Sequence, residues 1–280
     1  MEYKISYHSN NQYFNTVKDG IFEFLVLPEN NEDQLVSTWK IKNSLLAEPF
    51  YYFNIFGFRV CRIKASKPFS ELSLEMKVKV QKNTRGITNG LLWETQKCHD
   101  LLQDAIFKID HHLFLQSTTF TSLSETNHHL FPSLQADQHP YKYLSHLNTT
   151  IHQFFTYTPN ITDVHTKVND LIELKKGVCQ DYAHLMIAIA RLNQIPARYV
   201  SGFLNQGKGY LGAAKMHAWL ECYVPGAGWI GFDPTNHLKT DENYIKVAHG
   251  CDYKDCAPIK GVIKTNGKQI TDHEVVVHAQ

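Results

Sequence analysis

No stretch of 18 uncharged apolar residues occurs anywhere in the 280 residues, and the N-terminus, Met1 to Tyr13, lacks the basic start and apolar run of a secretion signal. Charge of one sign is lacking too. Lys plus Arg is 28 against 27 for Asp plus Glu, a net charge of +1, which gives no field for gripping nucleic acid or an acidic membrane. Cysteine is sparse, six residues at irregular spacing, unlike the dense framework of a small secreted domain. No Cys-x-x-Cys pair and no Asp-x-Asp-x-Asp-Gly calcium loop is present, so neither a metal nor a cofactor is expected. These absences suggest a cytoplasmic protein with reduced thiols that binds neither nucleic acid nor membrane.

What is present is an ordinary globular composition, 43% hydrophobic and 20% charged, in a chain long enough for about two domains. The first eighty residues alternate short apolar runs with turn residues, at Ile21–Leu27, Tyr51–Ile63 and Leu72–Val80. That spacing predicts an antiparallel β module over residues 1–82. In Leu74–Val80 the even positions are apolar and Glu75, Lys77 and Lys79 are charged, so one face packs and the other meets water. A connector is expected over 83–139, bounded at Asn83–Gly86, helical from Trp93 to Leu115 and then a polar Ser, Thr, His and Asn-rich stretch from Ser117 to His139, read as a connecting loop or an extended segment wrapping a neighbour.

Residues 140–280 carry the chemistry. Apolar residues at 144, 147, 151, 154 and 155 predict an amphipathic helix from Tyr143 to Phe155, and a shorter helix is expected after Thr166, capped by its hydroxyl and stopping near Gly177. Gly177-Val-Cys-Gln-Asp-Tyr-Ala-His-Leu-Met-Ile-Ala then opens a third helix, closed by Pro196, with Cys179 in its first turn. The free amides and dipole of a helix start favour a thiolate, so Cys179 is a candidate nucleophile, against the plainer possibility of a small buried thiol filling a packing gap.

Two later segments supply its partners. Met216–Val224 reads as a strand in which Met216, Ala218, Leu220, Cys222 and Val224 share one face and His217, Trp219, Glu221 and Tyr223 the other. Pro225-Gly-Ala-Gly228 turns the chain, and Trp229–Thr235 returns with Asp233. A register pairing Val224 with Trp229 would set Asp233 beside Leu220, away from His217. One pairing Tyr223 with Trp229, across a loop from Val224 to Gly228, sets Asp233 opposite Trp219 and diagonal to His217. In that register His217 takes the proton of Cys179 and Asp233 steadies the imidazole.

The stretches from Gly177 to Ala188, Ile195 to Phe203, His217 to Trp229 and Gly231 to Asn236 together resemble the bacterial transglutaminase-like family of cysteine proteases. The resemblance implies an α+β fold, a papain-like or transglutaminase-like core preceded by the β module, with a Cys-His-Asp triad at Cys179, His217 and Asp233. It implies an enzyme that cleaves an amide of a protein or peptide through an acyl thioester on Cys179. Transfer of the acyl group to an amine is the alternative, and a catalytically silent protein-binding scaffold the alternative of another class. Trp219 and Gln180 are candidate substrate contacts. Asp181 reads as compensation of the helix dipole, Tyr182 as packing and His184 as a partnered helix residue. Where relatives carry Gly-Arg-Asp-Tyr, this chain has Gly250-Cys-Asp-Tyr253, which removes a fixed positive charge.

Overall fold

The computed structural model describes residues 1–83 and 93–280. Most of the expected boundary at Asn83–Gly86 therefore lies outside the described residues. Three antiparallel sheets and a helical layer share one buried core.

The first sheet is built from β1 (Glu2–Val17), β3 (Gln34–Asn43), β6 (Phe69–Lys82) and β15 (Gln269–Ala279), in the order β15-β1-β6-β3. Alternation works as expected in β6, where Leu74, Met76, Val78 and Val80 are buried and Lys77 and Lys79 exposed. The second sheet joins β2 (Gly20–Phe24), β4 (Phe50–Phe53), β5 (Arg59–Ala65) and β14 (Ile259–Ile263), in the order β14-β2-β5-β4. Both sheets thus take a strand from the C-terminal end. Tyr3 pairs with Ala279 and Phe24 with Ile259, so the N-terminal module is closed by residues that the sequence reading had placed in the 140–280 core. Such pairing leaves no local trace in the sequence, because each strand reports its own alternation and not its partner.

The third sheet is the core's own, in the order β12-β11-β10-β9-β13: β9 (Ala197–Leu204), β10 (His217–Val224), β11 (Gly228–Asp233), β12 (Leu238–Lys239) and β13 (Tyr244–Gly250). Along one face runs α6 (Cys179–Leu192), packed on β9 and β10 and nearly all buried. α4 (Pro140–Phe154) and α5 (Val168–Leu174) pack against α6 in turn. The expected Thr166 cap of α5 is not formed. Thr166 instead donates to Asp163, and the start of α5 is closed by Asp170 accepting from the Lys167 amide. A two-stranded parallel pair, β7 (Thr156–Tyr157) with β8 (Lys176–Gly177), leads into α6.

The connector is helical where expected, as α1 (Thr95–Gln103), α2 (Ala105–Asp110) and α3 (His112–Leu115). Its polar stretch then wraps α6: Phe120 stacks on His184 with ring centroids 5.3 Å apart, Thr121 accepts from Arg191, and Leu134 is held by Asn193. A last helical turn, α7 (Tyr253–Cys256), is capped by Asp252. Among the described residues no helix is long and apolar enough to cross a membrane.

Candidate active site

Cys179 is the first residue of α6, half-buried, at the helix end where the leading amides have no intrahelical acceptor. The chain entering that helix is fixed by Asp181, whose Oδ2 accepts from the Val178 amide at 2.8 Å and from the Thr162 hydroxyl at 2.6 Å. Asp181 is fully buried, and burial lifts its pKa to about 6 despite those two donors. It therefore clamps the turn that presents the thiol, a larger task than dipole compensation.

The hairpin that brings His217 and Asp233 together has the register that a His-Asp contact requires. Tyr223 pairs with Trp229 and Leu220 with Phe232. The turn is closed one pair tighter than expected, since Val224 also pairs with Gly228. Pro225 and Gly226 occupy the central positions, with the Ala227 amide donating to Val224 O at 2.9 Å and Gly226 at φ 83°, the left-handed conformation that the second central residue of such a turn requires. Continuing the ladder by one residue sets Asp233 opposite Trp219.

The contact is made at His217 Nε2, which lies 2.8 Å from Asp233 Oδ2, and both side chains are sealed from solvent. Four further donors hold the Asp233 carboxylate: the amides of Thr235 and Asn236 on Oδ1, and Asn236 Nδ2 and the Tyr244 hydroxyl on Oδ2. Burial would raise the Asp233 pKa, but His217 and these donors keep it below the usual carboxylate range. For His217 burial pulls the other way, and the charges of Asp233 and Cys179, with the hydrogen bond to Asp233, outweigh it and hold the imidazole at about 10. With Nε2 given to Asp233, Nδ1 is the ring nitrogen left for the thiol, and among the described residues it has no hydrogen-bond partner. The structure thus brings Cys179, His217 and Asp233 together.

A thiol–imidazole contact elsewhere in the fold differs in its electrostatics. Cys98 Sγ lies 3.5 Å from His139 Nε2, but burial raises that thiol and lowers that imidazole, so the pair stays neutral. Cys61 and Cys251 are pushed up to about 11 by burial, and Cys222 and Cys256 are raised as well. Cys251 donates towards Leu113 O and Cys256 towards Tyr199 O, while His249 Nε2 meets Arg198. Among the described residues no cluster of three or more potential metal ligands occurs.

Of the two expected substrate contacts, Trp219 is 2% exposed. It stacks 6.3 Å from the His217 ring and meets Tyr244 edge-on at 5.3 Å, and its ring packs directly over Gly202. Trp219 therefore backs His217 from inside rather than lining an open groove. Beyond it lies a partly open pocket of about 330 Å3 lined by both the core sheet and the N-terminal module. There Glu221 accepts from Arg198 at 2.6 Å and from Lys246 at 2.8 Å, and these cations overcome burial to hold its pKa at about 2. Gln180 is 8% exposed, with Nε2 donating to Val164 O at 3.4 Å. Tyr182 packs 4.9 Å from Phe155, and His184 accepts from the Tyr253 amide at 3.1 Å.

Sequence reasoning missed Asn236, Tyr244, Thr162 and Gly212. Only Asn236 carried a signal, since an Asn three residues after Asp233 in a Pro-containing turn is placed to bond back to it. Gly212 adopts φ 81° and leaves no room for a side chain, because a Cβ there would sit 2.7 Å from His217 Nδ1.

Residues 129–234, which include Cys179, His217 and Asp233, match the profile of the Transglutaminase-like superfamily. The whole fold is shared with the crystal structure named "Putative Cysteine Protease from Cytophaga hutchinsonii", at 24% identity and a TM-score of 0.79, covering 99% of this chain and 90% of that one. An uncharacterized protein of Mycobacterium leprae is 27% identical over 275 residues, 96% of this chain and 95% of its own length. An uncharacterized protein of Mycobacterium tuberculosis is 40% identical over 134 residues, 45% of this chain and 43% of its own length. A protein-glutamine gamma-glutamyltransferase of Pseudomonas aeruginosa is 36% identical over 92 residues, 30% of this chain and 14% of that protein.

Proposed function

We propose that the protein is a thiol enzyme that cleaves an amide bond of a protein or peptide, with Cys179 as nucleophile, His217 as base and acid, and Asp233 as the group that charges and orients His217. The Cys179 thiolate attacks the amide carbonyl carbon, and the resulting oxyanion is met by the Cys179 backbone amide, free at the helix start. The imidazolium gives its Nδ1 proton to the departing amine, leaving a thioester. His217 then takes a proton from water, which attacks the thioester and releases a carboxylic acid and the thiol. The observation that carries this reading is the buried His217, bonded at Nε2 to Asp233 and acted on by Cys179.

A second reading shares every step up to the thioester and replaces water with a primary amine. The similarity to a protein-glutamine gamma-glutamyltransferase supports it. One assay separates the two: ammonia release and product mass from a glutamine-containing peptide, with and without a primary amine, beside a Cys179→Ala control. Hydrolysis gives glutamate-containing product whether or not amine is present, whereas transfer gives the amine adduct. Equal turnover by wild type and Cys179→Ala in every substrate tried, with Cys179 no more reactive than Cys251 towards iodoacetamide, favours the silent scaffold. The compartment is proposed to be the cytoplasm, from the sparse, reduced cysteines.

A further inference from the structure

The loop between β9 and β10, residues 205–216, lies over His217, and its fastenings are unusual. Gly212 abuts Nδ1 of the imidazole, the nitrogen left for the thiol. Next to it, Leu211 is gripped twice by one side chain: its amide donates to Asn236 Oδ1 at 2.8 Å and its carbonyl accepts from Asn236 Nδ2 at 3.3 Å. The same Nδ2 donates to Asp233 Oδ2 at 2.8 Å. One amide group therefore uses both N–H bonds and its oxygen to join the loop to the carboxylate behind His217. A separate anchor lies at the far end, where Gln206 Nε2 donates to the carbonyls of Ala213 and Val275, and the Val275 amide donates to Ala214 O.

We propose that Asn236 is a positioning residue with two linked tasks: it steadies the Asp233 carboxylate, and through Leu211 it holds residues 210–212 down as a cover over the Nδ1 side of His217, where Cys179 would meet it. This rests on the catalytic reading above. An acyl donor of any bulk meets the cover on its way to Cys179, and lifting the cover breaks the Leu211 bonds on the very side chain that braces Asp233. The closed cover is then the state in which the dyad is best held, and entry of substrate and alignment of His217 are coupled through one residue. Asparagine alone among the small polar residues supplies two donors and an acceptor at this reach. Aspartate would lack both donors and set a second negative charge against Asp233.

The test labels Cys179 in the full-length protein with two maleimides of the same electrophile and different size, N-ethylmaleimide and a fluorescein maleimide, followed by mass mapping. Asn236→Ala and Gln206→Ala are compared with wild type. Both should raise the ratio of large-reagent to small-reagent rate by about tenfold, the change expected from losing two ordinary hydrogen bonds of a closed state. Only Asn236→Ala should also slow the small reagent, by about threefold or more, because only it disturbs Asp233 and so His217. Asn236→Gln, which keeps the amide, should recover part of that rate. Labelling of buried Cys61 and Cys222 in the same samples reports unfolding, and Gln206→Ala carries the cover test should Asn236→Ala unfold. An unchanged size ratio in the folded variants overturns the cover. Equal small-reagent rates in Asn236→Ala and Gln206→Ala overturn the link to Asp233. If wild-type Cys179 labels no faster than Cys251, the catalytic reading fails, while the size ratio still decides the cover.

Discussion

Replacing Asp233 with Asn tests how His217 keeps its charge. The substitution preserves size and lets Oδ1 go on accepting from Thr235 and Asn236, but removes the negative charge 2.8 Å from Nε2. In the wild type that charge, helped by Cys179, overcomes burial and holds the imidazole at about 10 instead of 6.5. Because the folded value is raised, His217 contributes stability that is complete below pH 6.5 and is lost as pH climbs through about 10. The gap is worth on the order of 5 kcal/mol. Urea denaturation at pH 6 and at pH 10.5 should therefore show the wild type losing about that much more stability than Asp233→Asn over the same interval. In the variant burial prevails, His217 is neutral at pH 7, and Cys179 loses its cation. Alkylation by iodoacetamide at pH 7 should fall by about tenfold to a hundredfold. Parallel stability curves for the two proteins between pH 6.5 and 10 would refute the charged imidazole.

Three other substitutions probe the scaffold. Gly202→Ala would place a Cβ 2.2 Å from Ile245 O and 2.5 Å from the Trp219 ring, and the backbone oxygen cannot retreat, so urea denaturation should show a loss of about 2 kcal/mol or more. Arg191→Met strips donors from the carbonyls of Phe114, Gln116, Ala197 and Cys251 and from Thr121, and several buried acceptors left bare should cost about 3 kcal/mol or more by the same measurement. Asp181, with its pKa raised to about 6, favours the fold fully only below its unfolded value of 3.8 and loses that contribution as pH rises through 6. Asp181→Asn, which still accepts from Val178 and Thr162, should therefore gain stability relative to wild type between pH 5 and pH 8, measured by thermal melting at both.

The site was legible where its geometry is local. Cys179 sits at a helix start announced by Gly177 before it and an Ala, Ile and Met-rich run after it, and His217 and Asp233 ride a hairpin whose turn residues and strand parity fix their register within seventeen residues. What stayed hidden is either non-local or masked by composition. β1 runs from Glu2 to Val17 with every second residue turned inward up to Tyr13, but two of those inward residues are Ser9 and Asn11, so its alternation does not read as apolar. Asn11 is accommodated because its Nδ2 donates to Leu72 O inside the sheet. The setting of Trp219 stayed hidden for a different reason. Strand parity told which face it occupied, and only the packing of the N-terminal module over that face decided that the face is closed.

That module's role in the site follows from the same packing. Gln34 donates to Lys246 O at 2.6 Å and accepts from the Lys246 amide, tying β3 to β13, and the Glu29 amide bonds the same carbonyl. These bonds close the face of the core sheet opposite α6, so His217 and Asp233 are buried from behind by Trp219 and Tyr244, which are themselves buried. Water is thereby kept from Asp233, and the low-dielectric surroundings are what let a carboxylate at 2.8 Å hold an imidazole charged against its own burial. β15 serves both halves at once: it pairs along β1 from Tyr3 to Tyr13, and at Val275 it anchors the loop whose Gly212 covers His217. A chain that returns its last strand to its first sheet thus makes the β module part of the wall of the site, and the integrity of the His217–Asp233 pair depends on sheets that contribute no residue to the triad itself.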